Sequence, residues 1–461
     1  MESAGVLLPA FALVTATVWL IALASLRVVQ RRRTFATLLW SLVLFYPGLF
    51  AVTAGRSIYY GETVTTEVSQ GLSALTVLGA IGAMLLSIGI VASLSHRLPD
   101  RRLPLLVAAL LSVGSLYLSD LAAGSIWPAG SILITAAVVI AIYTLHESAD
   151  VLVPRLRILL RCYVLSSLLA VLVAPSWALV PPEFGGRDWL PSRLIGLTSS
   201  TNYMALIAAL SLIMECVNLN RSPFWRFYAV VAAGACVWAQ GRTGLAMAVL
   251  GLLALFMHSR SLHRGLIRLT YALVSVGLVL ALAYLQLQNM IVEFFGRMNI
   301  QEFTTGRVGA WELAWTEVLA HPYFGGGSGF FSLEFWDTRN LPPYFANAHN
   351  QLLQSLAEGG VVGATAMVVF VSVLTAGCVR NVTETAGASL AVLMVVVAQL
   401  PFGAPLKVEG LTWNLIPLTC CLALAFAAPR GGVSAKNANT SALRASPTIP
   451  AEEDNHLARA R

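Results

Sequence analysis

Charge is what this sequence has least of. Of 461 residues only 11% are Asp, Glu, Lys or Arg, whereas 57% are hydrophobic. A soluble domain carries about 25% charged residues, so a chain solvated mainly by water is excluded. Metal-gripping signatures are also missing. No D-x-D occurs, so clustered carboxylates that hold a divalent cation against a nucleotide-sugar are not signalled. Neither C-x-x-C nor H-E-x-x-H appears, and the "GGGSG" run at 325–329 lacks the Lys-Ser/Thr of a nucleotide-binding loop. No metal and no cofactor is therefore expected, and the glycine run reads as a flexible turn. All six cysteines fall in apolar stretches, which leaves disulfides unexpected. No Ser-His-Asp or Cys-His arrangement can be assembled on one face.

What the chain does have is apolar windows of about 20 residues, the length a helix needs to cross a bilayer. Thirteen are expected, at 5–29, 34–54, 70–94, 103–119, 127–145, 156–180, 199–217, 225–240, 243–258, 266–286, 351–378, 387–406 and 411–428. The fold class is thus an all-α polytopic membrane protein, with residues 1–429 forming the helical domain. Residues 430–461 are rich in Ser, Ala and Asn without periodicity, and read as a disordered cytoplasmic tail. Basic residues follow every odd-numbered span through the ninth, then the eleventh and thirteenth: Arg31, Arg101, Arg157, Arg221, Arg264, Arg380 and Arg430 are examples. Lys and Arg mark the cytoplasmic side, so the N-terminus is expected outside and the C-terminus inside. The first span has no basic stretch before it and reads as a helix, not a signal peptide. The net charge of +7 lies mostly in this belt, which suits anionic lipid headgroups and not nucleic acid.

Three outer connections carry information: 181–198, the tight turn at 240–243, and the long loop at 287–350; those at 55–69 and 120–126 read as ordinary connectors. Within the long loop, "TTGRVGAWELAWTEVLAHPYF" has Val308, Trp311 and Trp315 at helical spacing, and His321-Pro322 ends that helix. Such a helix either lies at the membrane interface or packs on the bundle. Arg242, in a turn squeezed between two spans, is expensive unless it pairs or faces a wet cavity; the alternative is that it snorkels to the interface. Arg307 opens the amphipathic helix, where a cation opposes the helix dipole unless an anion visits. Arg193 precedes the seventh span. His349 lies on this side in "ANAHNQLLQSLAEGG", just before the eleventh span. It is either a proton acceptor or part of a helix cap with Asn350. Span centres carry essentially no charge, which weakens an ion-coupled transporter reading.

Four stretches, "RLIGLTSSTNYMALIAAL" (193–210), "GRTGLAMAVLGLLALF" (241–256), "TGRVGAWELAWTEVLAHPYFGGGSGFF" (305–331) and "AHNQLLQSLAEGGVVG" (348–363), together resemble the O-antigen ligase superfamily. That resemblance implies a GT-C-like bundle of twelve helices plus one extra N-terminal helix, with one long structured outer loop at 287–350. It implies a metal-independent, inverting glycosyltransferase of the bacterial inner membrane with its site facing outward. The donor would be an undecaprenyl-diphosphate-linked glycan, and the acceptor lipid A-core or another glycan. His349 would correspond to the family's histidine base, and Arg242 and Arg307 to its diphosphate-binding arginines. Arg193 and Asn202 match a weaker motif and would line the same cavity, with Asn350 supporting. Gly241 stands where many members have serine. Ligase, polymerase and protein O-oligosaccharyltransferase share these motifs, and a transporter or flippase for a lipid-linked sugar is the competing class.

Overall fold

The predicted apolar windows become helices wherever the chain is described. The computed structural model describes residues 38–43, 47, 82, 85, 87–88, 90–91, 102–124, 129–180, 192–198, 200–259, 307–331, 348–401, 403–408 and 412–429. In chain order these give α1 (Leu103–Ala122), α2 (Ala129–Leu145), α3 (Ala149–Val173), α4 (Pro175–Ala178) and α5 (Thr201–Cys216). Then come α6 (Trp225–Trp238), α7 (Arg242–Ser259), α8 (Arg307–Ala320), α9 (Gln351–Arg380), α10 (Ala388–Gln399) and α11 (Leu415–Phe426). Nine of the thirteen predicted spans coincide with these helices. The first and tenth predicted spans and the 430–461 tail lie outside the described residues, and the second and third are described only in part.

Helices α1, α3 and α9 are each long and apolar enough to cross a membrane. Leu111, Phe227, Val230 and Val249 are all more than half exposed although the core beside them is closed. Large exposed apolar side chains of this kind suit contact with lipid. Helix α5 is the hub, buried almost throughout from Met204 to Met214 and packed on α3, α6, α7 and α10. Small residues permit the close crossings. A Cβ at Gly244 on α7 would lie 2.2 Å from that of Ala205 on α5, so only glycine lets these backbones meet.

One end of the bundle is tied by cations placed on helix C-termini, whose last carbonyls lack partners. Arg157 donates to the carbonyls of Met214, Val217, Leu219 and Asn220 at 2.7–3.0 Å. Arg161 grips Glu215 with two bonds of 2.8 Å and lies 3.7 Å from the centre of the Tyr228 ring. Asn381 donates toward the carbonyls of Leu424, Ala425 and Ala427 at the end of α11. Arg102 bonds the Ala427 carbonyl and, at 3.0 Å, His146 Nδ1. Burial and nearby Arg380 lower its pKa to about 10, which leaves it cationic at neutral pH. Residues that the sequence assigns to successive inner loops thus share one end. Helix α3 begins at Ala149, ahead of the expected 156, because Arg155 and Arg157 are paired inside the protein and do not end the helix.

The eleventh predicted span is not one continuous helix. Gly360 has φ 60° and ψ −160°, and it divides α9 into a short N-terminal piece and a long C-terminal one.

Candidate functional site

At the opposite end, the break in α9 meets the loop that follows α8. Where a helix is cut, its last carbonyls and the next amides need partners from elsewhere. The loop supplies both. Gly326 N–H donates to Ala357 O (2.8 Å) and Gly327 N–H to Glu358 O (3.0 Å), while Val361 and Val362 N–H donate to Pro322 O (2.9 Å) and Tyr323 O (3.2 Å). The Ser119 hydroxyl lies against the carbonyls of Phe324 and Glu358. Asp120, in the last turn of α1, receives Ser328 N–H at 2.6 Å and Ser328 Oγ–H at 2.9 Å. The glycine run expected to be a flexible turn is instead a backbone splint. Side chains there would block the approach: a Cβ at Gly360 would sit 2.3 Å from the Tyr323 carbonyl carbon and oxygen. Asp120, expected to begin an ordinary connector, instead anchors the loop that follows α8.

This splint holds the chain just ahead of α9, where His349 lies. His349 is half-buried and has φ 49°, in the left-handed region. Its neighbours are fixed on each side. Trp311 Nε1–H of α8 donates to Ala348 O at 2.7 Å, and Ala348 N–H donates to Gln354 Oε1 at 2.7 Å. Asn350 is the N-cap of α9: its Oδ1 receives Leu353 N–H at 3.1 Å. Gln351 N–H donates to Leu400 O at 2.9 Å, and Gln351 Oε1 receives Leu406 N–H at 2.8 Å. Of the two readings of "HN", capping by Asn350 is what the structure shows, and it fixes the backbone of the histidine beside it. Lys407, buried on the same side, donates to Phe331 O at 3.3 Å.

Helix α8 packs on the bundle. Ala310, Ala314 and Val318 are its buried face, set against Ala348, Leu353 and Ala357, with Trp311 and Trp315 at the rim. The alanines take that face because they let the helix backbones approach. Arg307 is the first residue of α8, one turn before Trp311, whose indole N–H bonds Ala348 O. His321 ends the helix as expected, with Nδ1 2.7 Å from Glu317 Oε1 and its side chain exposed.

Arg242 is the first residue of α7. The preceding turn has Gln240 at φ 52° and lies against the start of α5, where a Cβ at Gly241 would come 3.5 Å from Asn202 Oδ1. Arg193 donates to Thr201 Oγ1 at 2.7 Å, and Leu194 N–H donates to Trp238 O at 3.2 Å. Arg193, Asn202 and the backbone of Arg242 therefore share one corner. This corner connects to His349 through α10, which runs antiparallel to α7. Gly387 lies against His258 and Gly251 against Ala391 O. Just past the end of α10, Leu400 O is the acceptor for Gln351 N–H. Three chain positions, Arg242, Arg307 and His349, thus stand at or beside the N-termini of α7, α8 and α9. Helix N-termini attract anions. For Arg242 and Arg307 it is the backbone that is placed.

Sequence reasoning missed Asp120, Gln354 and Glu358. A signal for the last two was present, since Gln351, Gln354 and Glu358 recur at helical spacing within an apolar span.

Among the described residues the fold is that of a helical protein with three helices long and apolar enough to cross a membrane, in which Arg242, Arg307 and His349 stand at or beside helix N-termini. The O-Antigen ligase family model matches residues 227–368, a stretch containing Arg242, Arg307 and His349. The match supports the O-antigen ligase superfamily and, at family level, a ligase- or polymerase-type membrane glycosyltransferase. No curated protein matches the chain.

Proposed function

We propose that this protein transfers a glycan from undecaprenyl diphosphate to an acceptor hydroxyl at the outer face of the bacterial inner membrane. The observation that carries this reading is the family match over 227–368, a segment in which Arg242 and Arg307 open α7 and α8 and His349 stands just before α9. In the reaction, His349 takes the proton from the acceptor hydroxyl. The oxygen attacks the anomeric carbon, its bond to the diphosphate breaks, and undecaprenyl diphosphate leaves with the electron pair. Direct attack inverts the anomeric configuration. Arg242 and Arg307 neutralise the diphosphate, for which guanidinium forks are suited, and the positive ends of α7 and α8 add to that field. Arg193 and Asn202 line the donor side of the cavity.

A lipid A-core or growing-glycan acceptor is favoured over a protein serine, because α8 and the splint form a compact outer surface packed on α9. The test is to incubate purified protein with undecaprenyl-diphosphate glycans and candidate acceptors, and identify the product by mass spectrometry. Inverted glycosidic product with release of undecaprenyl diphosphate supports the reading. Donor moved across a vesicle membrane without new glycosidic bonds would instead assign the chain to the transporter class.

A further inference from the structure

Two buried side chains of α9 hold the His349 turn and take no part in the proposed chemistry. Gln354 is 0% and Glu358 2% exposed, and they lie one turn apart on the N-terminal piece of the helix. Ala348 N–H can bond only an acceptor, so the Gln354 amide must present Oε1 to it, at 2.7 Å. Its Nε2 then faces Glu358 Oε1 at 2.6 Å. An amide rotated by half a turn would set its NH2 against the Ala348 N–H and its oxygen against the Glu358 carboxyl. Glu358 thus fixes which way Gln354 faces, and Gln354 fixes Ala348. The Ala348 carbonyl is held by Trp311, and the Asn350 side chain caps α9 on the other side of His349. A left-handed backbone at a non-glycine residue is strained and persists only where its surroundings over-determine it.

We infer that Gln354 and Glu358 are positioning residues, a buried amide–carboxyl pair that sets the place of the His349 imidazole relative to the acceptor. The inference rests on His349 being the base. It separates the two ends of α9: the splint secures the helix break, whereas this pair aims the residue before the helix start.

Donor–acceptor chemistry gives the test. In Gln354→Glu, two carboxyl groups face each other across a hydrogen-bond distance, and repulsion drives them apart. In the double variant Gln354→Glu with Glu358→Gln the roles are exchanged. The residue-354 carboxylate accepts from Ala348 N–H and from the new amide at 358, so the chain of bonds is complete again. Transfer of a labelled lipid-linked glycan is measured as kcat and KM, beside hydrogen–deuterium exchange over 348–353. The Gln354→Glu variant is expected to lose about 30-fold or more in kcat, as small misplacements do. Its KM for the donor should stay within about threefold, with faster exchange at Ala348. The double variant should recover to within about fivefold of wild type in both readouts. Wild-type kcat and exchange in Gln354→Glu, or a double variant no better than Gln354→Glu, would overturn the inference. A wild-type protein that transfers nothing would count against the transferase reading alone, and the exchange measurement then decides the positioning role by itself.

Discussion

Replacing Gly360 by alanine puts a side chain where two pieces of backbone already meet. The new Cβ would lie 2.3 Å from the Tyr323 carbonyl carbon and oxygen and 2.5 Å from Phe324 N. None of these is a side chain that can rotate away. The backbone at 360, with φ 60° and ψ −160°, is itself essentially a glycine conformation, with a cost of about 1–3 kcal/mol for another residue. Relief requires the loop to withdraw, which forfeits bonds from Gly326, Gly327, Val361 and Val362 at about 1 kcal/mol each. Together these predict about 3 kcal/mol or more of local destabilisation, or roughly a hundredfold rise in opening of the splint. Hydrogen–deuterium exchange over 321–331 and 357–363 reads it directly, with the segment 374–382 unchanged. Gly359→Ala is the control, because a Cβ there meets only Leu116 Cδ2, at 3.5 Å. Wild-type protection over 321–331 in Gly360→Ala, or equal loss in both variants, would refute the reasoning.

Other consequences follow from the helix ends. Arg157→Ala leaves the carbonyls of Met214, Val217, Leu219 and Asn220 without their donor, and should lower stability by about 3 kcal/mol or more, read as an early thermal transition in detergent. Arg157→Lys should recover little, since one ammonium cannot span the set. Asn350→Ala removes the cap of α9, at about 1 kcal/mol, and should reduce transfer about tenfold, while Asn350→Ser keeps most of it.

The helices themselves were legible because lipid imposes one rule on every span: about 20 apolar residues and a belt of arginine on one side. Asn350 as a cap, the start of α8 at Arg307 and its stop at His321 were legible for local reasons, since each depends on residues a turn away. The splint was not. Its bonds run between backbone groups of 322–327 and 357–362, which no side-chain pattern reports, and its glycines look like those of any flexible turn. The break at Gly360 was hidden for the same reason, because hydropathy does not sense φ. Asp120 and Glu358 were passed over as incidental carboxylates near span ends, although an acidic residue in an apolar span signals a buried partner. The packed face of α8 was not legible, because tryptophan dominates a hydrophobicity pattern whereas close packing selects Ala310 and Ala314. The expectation that Arg193, Asn202, Arg242, Arg307 and His349 share one side came from topology; the bonds of Arg193 to Thr201, Trp311 to Ala348 and Gln351 to Leu400 required the fold.

The most direct test of the account is transfer by His349→Ala measured beside donor binding. Purified wild-type and variant proteins are given a labelled undecaprenyl-diphosphate glycan with acceptor, and bound donor and transferred product are quantified separately. The account predicts that His349→Ala binds donor within about threefold of wild type and loses transfer by about a hundredfold or more, the size of a general-base contribution. Equal transfer by the variant and wild type would contradict it.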